Sequence, residues 1–192
     1  MNVKLLLALA GAILLPASAC HGAPIAGQTG SSADARGDSM NLAVTTGAFP
    51  AGGAIPKSFT CDGGDTSPGL EWSGAPAGVQ SFALIVDDPD APAGTWTHWI
   101  AWNIPAQSTA LPDGVPKNET LGDGTRQGRN DFQRIGYGGP CPPQGKPHRY
   151  FFRLYALDRK LELKAGAGRS ELERAMKGHV LAQGEITGKY GR

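Results

Sequence analysis

The run Phe82-Ala83-Leu84-Ile85-Val86 leads straight into Asp87-Asp88-Pro89-Asp90-Ala91-Pro92, and this junction restricts the chain more than any other stretch. Five apolar residues in a row, two of them β-branched, have the length and chemistry of a buried strand. Ending it in three carboxylates and two prolines delivers polar groups to a fixed place. Proline holds φ at about −65° and restricts the residue before it, so Asp88 and Ala91 are predicted to be extended. A second apolar segment follows, in which Trp96, His98 and Trp99 run on to Trp102. In a regular strand His98 shares a face with Trp96 and Ile100, and Trp99 takes the other. The pattern sets an imidazole among aromatic walls beside a carboxylate-rich turn. A plainer reading stands next to it: Asp-Pro-Asp is ordinary turn chemistry, and a single histidine in an aromatic strand is commonly a satisfied core residue.

What surrounds this junction is rich in turns. The 192 residues include 28 glycines and 15 prolines, which favours short strands over long helices, and the length suits one domain with a sizeable core. Only Lys4 precedes Cys20 among the charged residues, so from Cys20 onward 17 basic residues meet 17 acidic ones. That balance lacks the basic stripe of a nucleic-acid binder.

The amino terminus reads as an address. Lys4 is followed by the apolar run Leu5 to Leu15, shorter than the ~20 residues that cross a bilayer. Ala17-Ser18-Ala19 then supplies a small-residue cleavage site, so residues 1–19 are predicted to be a signal peptide. Cys20 directly after it resembles the lipid-modified cysteine of bacterial lipoproteins, although Ala17 stands where that pattern usually carries Leu. Plain secretion therefore stays open. Residues 20–39 have little to bury and read as a flexible tether with a reach of roughly 25 Å. The expected location is the bacterial cell envelope, as an anchored lipoprotein or else periplasmic or secreted.

With Cys20 set aside, Cys61 and Cys141 remain. Export favours a disulfide between them; two free buried thiols are the alternative. No cysteine or histidine spacing of zinc-finger type occurs, and no metal or cofactor is expected.

The globular domain is predicted at 40–192. Strand candidates are Asn41–Thr45, Leu70–Trp72, the Phe82 run and Phe151–Leu157. The stretch Ala106–Gln133 is polar and aperiodic, the kind of long loop that is functional or mobile. One helix is expected, capped by Ser170 with Glu173 closing the box; Leu172, Ala175, Met176 and Val180 line its face and Gly184 stops it. Glu185–Tyr190 then looks extended. The sum is a mainly β chain, an antiparallel sandwich with one or two short helices near the C-terminus.

Three separated motifs, CDGGDTSPGLEW, DDPDAPAGTWTHW followed by NIP, and GYGGPCPP followed by HRYFFRLYALD, resemble the phosphatidylethanolamine-binding protein family, and more closely its bacterial branch of Raf-kinase-inhibitor-like proteins. The likeness runs from Met40 to Arg192. It implies a β-sandwich with a small anion pocket at one end, lined by Asp88, Trp96, His98, Gly139, Pro140, His148 and Tyr150, and a cis bond before Pro92. Two departures are visible. Gly69 stands where the branch usually has a second proline, which is expected to loosen that loop. Cys141-Pro142-Pro143 lengthens the Gly-Pro loop, leaving open which proline walls the pocket.

Chemically, a phosphate wants imidazole, phenol and glycine-loop N–H donors, with Asp88 accepting from His98 or His148 to orient it. Arg149, one residue on from His148, is predicted to face away and serve an aspartate or the surface. The leading expectation is a non-enzymatic binding protein for phosphate or a phospholipid-headgroup-like ligand, with better binding as pH falls. The alternative is an interaction module that inhibits a kinase or protease through its surface. Enzymatic use of Asp88, His98 and His148 lacks a metalloprotease spacing or a visible nucleophile.

Overall fold

The computed structural model describes residues 40–192. The expected signal peptide at 1–19, the tether at 20–39 and Cys20 lie outside the described residues. In chain order the strands are β1 (Met40–Asn41), β2 (Ala43–Thr45), β3 (Leu70–Ser73), β4 (Ser81–Asp88), β5 (Trp96–Pro105), β6 (Ala110–Leu111), β7 (Arg126–Gln127), β8 (His148–Leu157) and β9 (Val180–Tyr190). A 3-10 turn at Lys57–Phe59 and one helix, α1 (Arg169–Met176), complete the described elements.

The strands form a six-stranded sheet ordered β1-β9-β8-β4-β5-β7 and a three-stranded sheet ordered β2-β3-β6. Every pairing is antiparallel apart from β1 against β9, which is parallel. The expected mainly β sandwich is thus what the chain builds, with one helix near its C-terminus.

Strand β4 explains its own sequence. Alternate side chains of a strand point to opposite faces. Phe82, Leu84 and Val86 enter the core between the sheets with Trp72, Leu70 and Phe152. Ala83 and Ile85 enter a second core on the outer face, with Ile100, Trp102, and Leu172 and Met176 of α1. A strand covered on both sides has no solvent face and needs no polar alternation. Truncating Leu84, fully buried, to Ala would cost about 2–5 kcal/mol.

The helix departs from its sequence reading. It begins at Arg169 behind Gly168, and the Glu171 carboxylate accepts the Gly168 N–H at 2.8 Å. Glu173 pairs instead with Arg169 at 2.7 Å. The helix stops at Met176, because Gly178 adopts φ of 81°, a conformation that breaks the right-handed turn at little steric cost. Val180 and Gly184 belong to β9, whose register with β8 runs from His148↔Tyr190 to Leu157↔Val180. That ladder outweighs the apolar helical spacing. Gly184 is required there by close approach, since a Cβ would lie 2.1 Å from the Leu42 carbonyl oxygen.

The peptide bonds of the described residues are all trans, including the one before Pro92, where the resemblance implied cis. Gly69 does not loosen its loop: its N–H, which a proline would lack, donates to the Asp113 carboxylate.

Candidate functional site

Two strand ends and a distortion between them make the site. Along β4 and β5 the register passes from Val86↔Trp99 to Asp87↔Thr97, leaving His98 as an extra residue. Such a bulge re-aims the side chain it carries. Ile100 goes to the outer core and Trp99 to the inner one, yet His98 turns to the inner side, where its ring meets Tyr150 edge-on at 5.2 Å. The expected shared face of His98 and Ile100 is therefore wrong, because strict alternation fails at the bulge. On β8, His148 and Tyr150 have the parity of Phe152, so they prolong the inner face past the core.

These residues open onto a cavity of about 240 Å³. Asp88, Trp96, His98 and His148 line it, with Ala91, Pro92 and Ala93 from the turn between β4 and β5. Phe132 and the segment Cys141-Pro142-Pro143 close the remaining walls. Tyr150 stands behind His98, 1 % exposed. A larger hollow of about 410 Å³ lies elsewhere, lined in part by Arg153 and Glu185, which pair with each other.

Each polar group is tied down on one side. Asp88, 3 % exposed, accepts the Asp90 N–H on Oδ1 at 2.8 Å and His148 Nδ1 on Oδ2 at 2.8 Å. A carboxylate only accepts, so His148 Nδ1 carries a proton and Nε2 is the nitrogen left over. His98 Nδ1 donates to the Gly138 carbonyl at 2.6 Å. Burial lowers the pKa of His98, outweighing the Gly138 carbonyl and the Asp88 charge that raise it. The Tyr150 hydroxyl is buried beside Asp88; burial first, and then the Asp88 charge, hold its ionisation far above the ordinary range. Arg149 is absorbed by Asp90 through Nε and Nη2 at 2.9 and 2.7 Å, as its position in the strand predicts. That pairing draws the Asp90 carboxyl down to about 2.

The Gly-Pro loop serves differently from expectation. Gly138 donates its N–H to the His98 carbonyl at 2.9 Å, and Gly139 donates to Asp65 Oδ1 at 2.6 Å. Both donors are therefore consumed inside the protein. A Cβ on Gly139 would lie 2.7 Å from the Phe59 carbonyl oxygen, so close packing accounts for the glycine. Pro140 accepts the Cys61 N–H at 3.1 Å, while Pro142 and Pro143 form the wall. Gly139 and Pro140 support the cavity without lining it. Cys61 and Cys141 are joined in a disulfide, Cα atoms 5.4 Å apart, which fastens that wall across 80 residues of chain.

The residue that sequence reasoning missed is Phe132. It meets Trp96 and His98 edge-on, with ring centroids 5.4 and 5.3 Å away. A signal was present: Phe132 is the one aromatic residue between Ala106 and Gln133. The loop is anchored by Gln127, whose amide accepts from Trp99 Nε1 and donates to the Pro116 and Asn118 carbonyls, each at 2.7 Å.

Known proteins share this fold. The family model described as phosphatidylethanolamine-binding protein matches residues 45–191. A UPF0098 protein of Methanothermobacter thermautotrophicus is 52% identical over 153 residues, covering 80% of this chain and 99% of its own. The UPF0098 protein YbcL of Escherichia coli is 44% identical over 139 residues, 70% of this chain and 76% of its own. Among solved structures, Escherichia coli YbcL superposes with a TM-score of 0.74 at 39% identity, covering 79% of this chain and 99% of that one. A phosphatidylethanolamine-binding protein homolog from Chlamydia trachomatis gives 0.73 at 38% identity, with 80% and 99% covered. The chain belongs to the phosphatidylethanolamine-binding protein family, in the bacterial branch that includes YbcL.

Proposed function

We propose that the protein is a non-enzymatic binding protein of the bacterial cell envelope whose cavity holds a small anionic group, phosphate or a phospholipid-headgroup-like ligand. The observation that carries this reading is the convergence of Asp88, His98 and His148, from three different strands, on one cavity with Trp96 as a wall. Its volume, about 240 Å³, suits a headgroup better than a drug-sized molecule. His148 Nε2, once protonated, is the donor that the lining offers, and apolar walls strengthen the bond it makes. With no lysine or arginine in the lining, binding is weak, and it strengthens as pH falls because a protonated imidazole donates from both nitrogens.

The same lining holds no serine, threonine or lysine, and its cysteine is committed to the disulfide, so hydroxyl, amine and thiol nucleophiles are lacking there. Export is supported by the leader-like residues 1–19, and anchoring by Cys20; the disulfide suits an oxidising compartment. Mass spectrometry of the mature protein should find a diacylated Cys20, and an unmodified one would leave a soluble exported protein. The pocket reading is tested by titrating phosphorylethanolamine while following the imidazole NMR signals. His98 and His148 should both move. Unmoved rings would overturn it.

A further inference from the structure

His98 is the most constrained polar group of the cavity. The Gly138 carbonyl, 2.6 Å from Nδ1, can only accept, so the proton of the neutral ring resides on Nδ1. Nε2 has no hydrogen-bond partner among the described residues and is left to the cavity as a lone-pair acceptor. The ring is not free to exchange these roles. Gly138 N–H closes back on the His98 carbonyl, and Phe132 and Tyr150 brace the imidazole edge-on.

A second proton on His98 is opposed by burial, which prevails over the raising influence of the Gly138 and Gly139 carbonyls and of the Asp88 and Asp131 carboxylates. Those two carboxylates come from β4 and from the loop beside Thr97, whose N–H Asp131 accepts. From β8 the facing groups are Tyr150, held neutral, and His148, engaged by Asp88. Asp88 itself is a second fixed acceptor. Arg149 does not offset them, because Asp90 holds its guanidinium. A fully ionised oxyanion placed against His98 Nε2 would set lone pair against lone pair.

We infer that the cavity selects an oxyanion that brings its own proton, namely the monoanion of a phosphate monoester whose P–O–H donates to His98 Nε2, and that it rejects a sulfate ester of the same shape. This rests on the anion-pocket reading above and adds to it the donor that satisfies His98. A phosphate monoester loses its second proton near pH 6, so the required form is abundant in mildly acidic solution and falls to about a tenth at pH 7. A sulfate ester has no such proton. A buried acceptor left without a donor discriminates on the order of ten- to a hundred-fold.

The test compares phosphorylethanolamine with ethanolamine O-sulfate, which share the ammonium arm and differ at the ester. Both are titrated into the full-length, disulfide-bonded protein at pH 6, with ¹⁵N-labelled histidine. The phosphate ester should bind at least about tenfold more tightly, and His98 Nε2 should keep the ¹⁵N shift of an unprotonated nitrogen in the complex. Equal binding of the two esters, or an Nε2 shift typical of N–H, overturns the inference while leaving an anion pocket in place. Absence of binding by either ester overturns the pocket reading and this inference together. His98→Gln, whose amide can donate where Nε2 cannot, should narrow the gap between the esters; an unchanged gap removes His98 as the discriminating group.

Discussion

Asp87 and Asp88 are neighbours in the chain and face opposite environments. Asp87, fully buried, turns to the outer side of the large sheet, where Arg153 and Arg169 both contact its carboxylate, the latter at 2.7 Å. Asp88 turns to the inner side, where its partner is His148 and a cavity stands beside it. Strand alternation alone separates them. One carboxylate is held by cations that never lose their charge, and the other by a ring whose charge depends on pH. The first arrangement fixes β4 against β8 and α1; the second leaves chemistry available at the same strand end.

Four measurements would break or sharpen this contrast. The largest effect is expected from Asp87→Ala, which removes the buried partner of two guanidiniums and leaves them only Glu185 and Glu173 at the rim, and should cost about 3–5 kcal/mol in denaturant unfolding. Its response to phosphorylethanolamine should survive; loss of that response would show that the two faces are not separable. Reducing the disulfide comes next. A loop of this length loses roughly 4 kcal/mol of stabilisation by the chain-entropy account, and because Cys141 is part of the cavity wall, ligand shifts should weaken along with the melting temperature.

Asp88→Ala should invert the Asp87 result. Its stability cost is about 1–2 kcal/mol, from the partner it takes from His148, while affinity for phosphorylethanolamine in a thermal-shift assay falls on the order of tenfold. Similar behaviour of the two alanine variants would dissolve the comparison. The smallest effect concerns pH. The folded-state pKa of His98 is depressed by burial, so the unfolded chain binds the additional proton first. Stability contributed by the neutral ring is complete above the ordinary histidine pKa of about 6.5 and is lost as pH falls below it. In His98→Gln the decline between pH 7 and 5 should be shallower than in the unchanged protein; parallel profiles would mean that the ring is not held neutral.

Much of this was legible in the residues, and the failures have physical causes. An unbroken apolar run ending in carboxylates announced β4, and the parity of His148 and Tyr150 with the inner core could be counted from Phe152. Counting failed at His98, because a bulge is set by how two strands pair and leaves no mark in either alone. It failed again at α1 and β9, where Leu172, Met176 and Val180 satisfy a helical period although a ten-residue partner strand claims the last of them. The glycine loop was correctly singled out and wrongly employed: Gly138 and Gly139 approach neighbours that only folding reveals, and those neighbours take their N–H groups. Phe132 lay in a stretch with no periodicity to interpret, so its single aromatic ring was the available clue.

The bond between Cys61 and Cys141 encloses the entire span from β3 through β7. A protease that nicks the exposed loop at Lys117 would therefore release nothing. On a gel run without thiol the clipped molecule should migrate near the intact one, and two pieces should part when reductant is added.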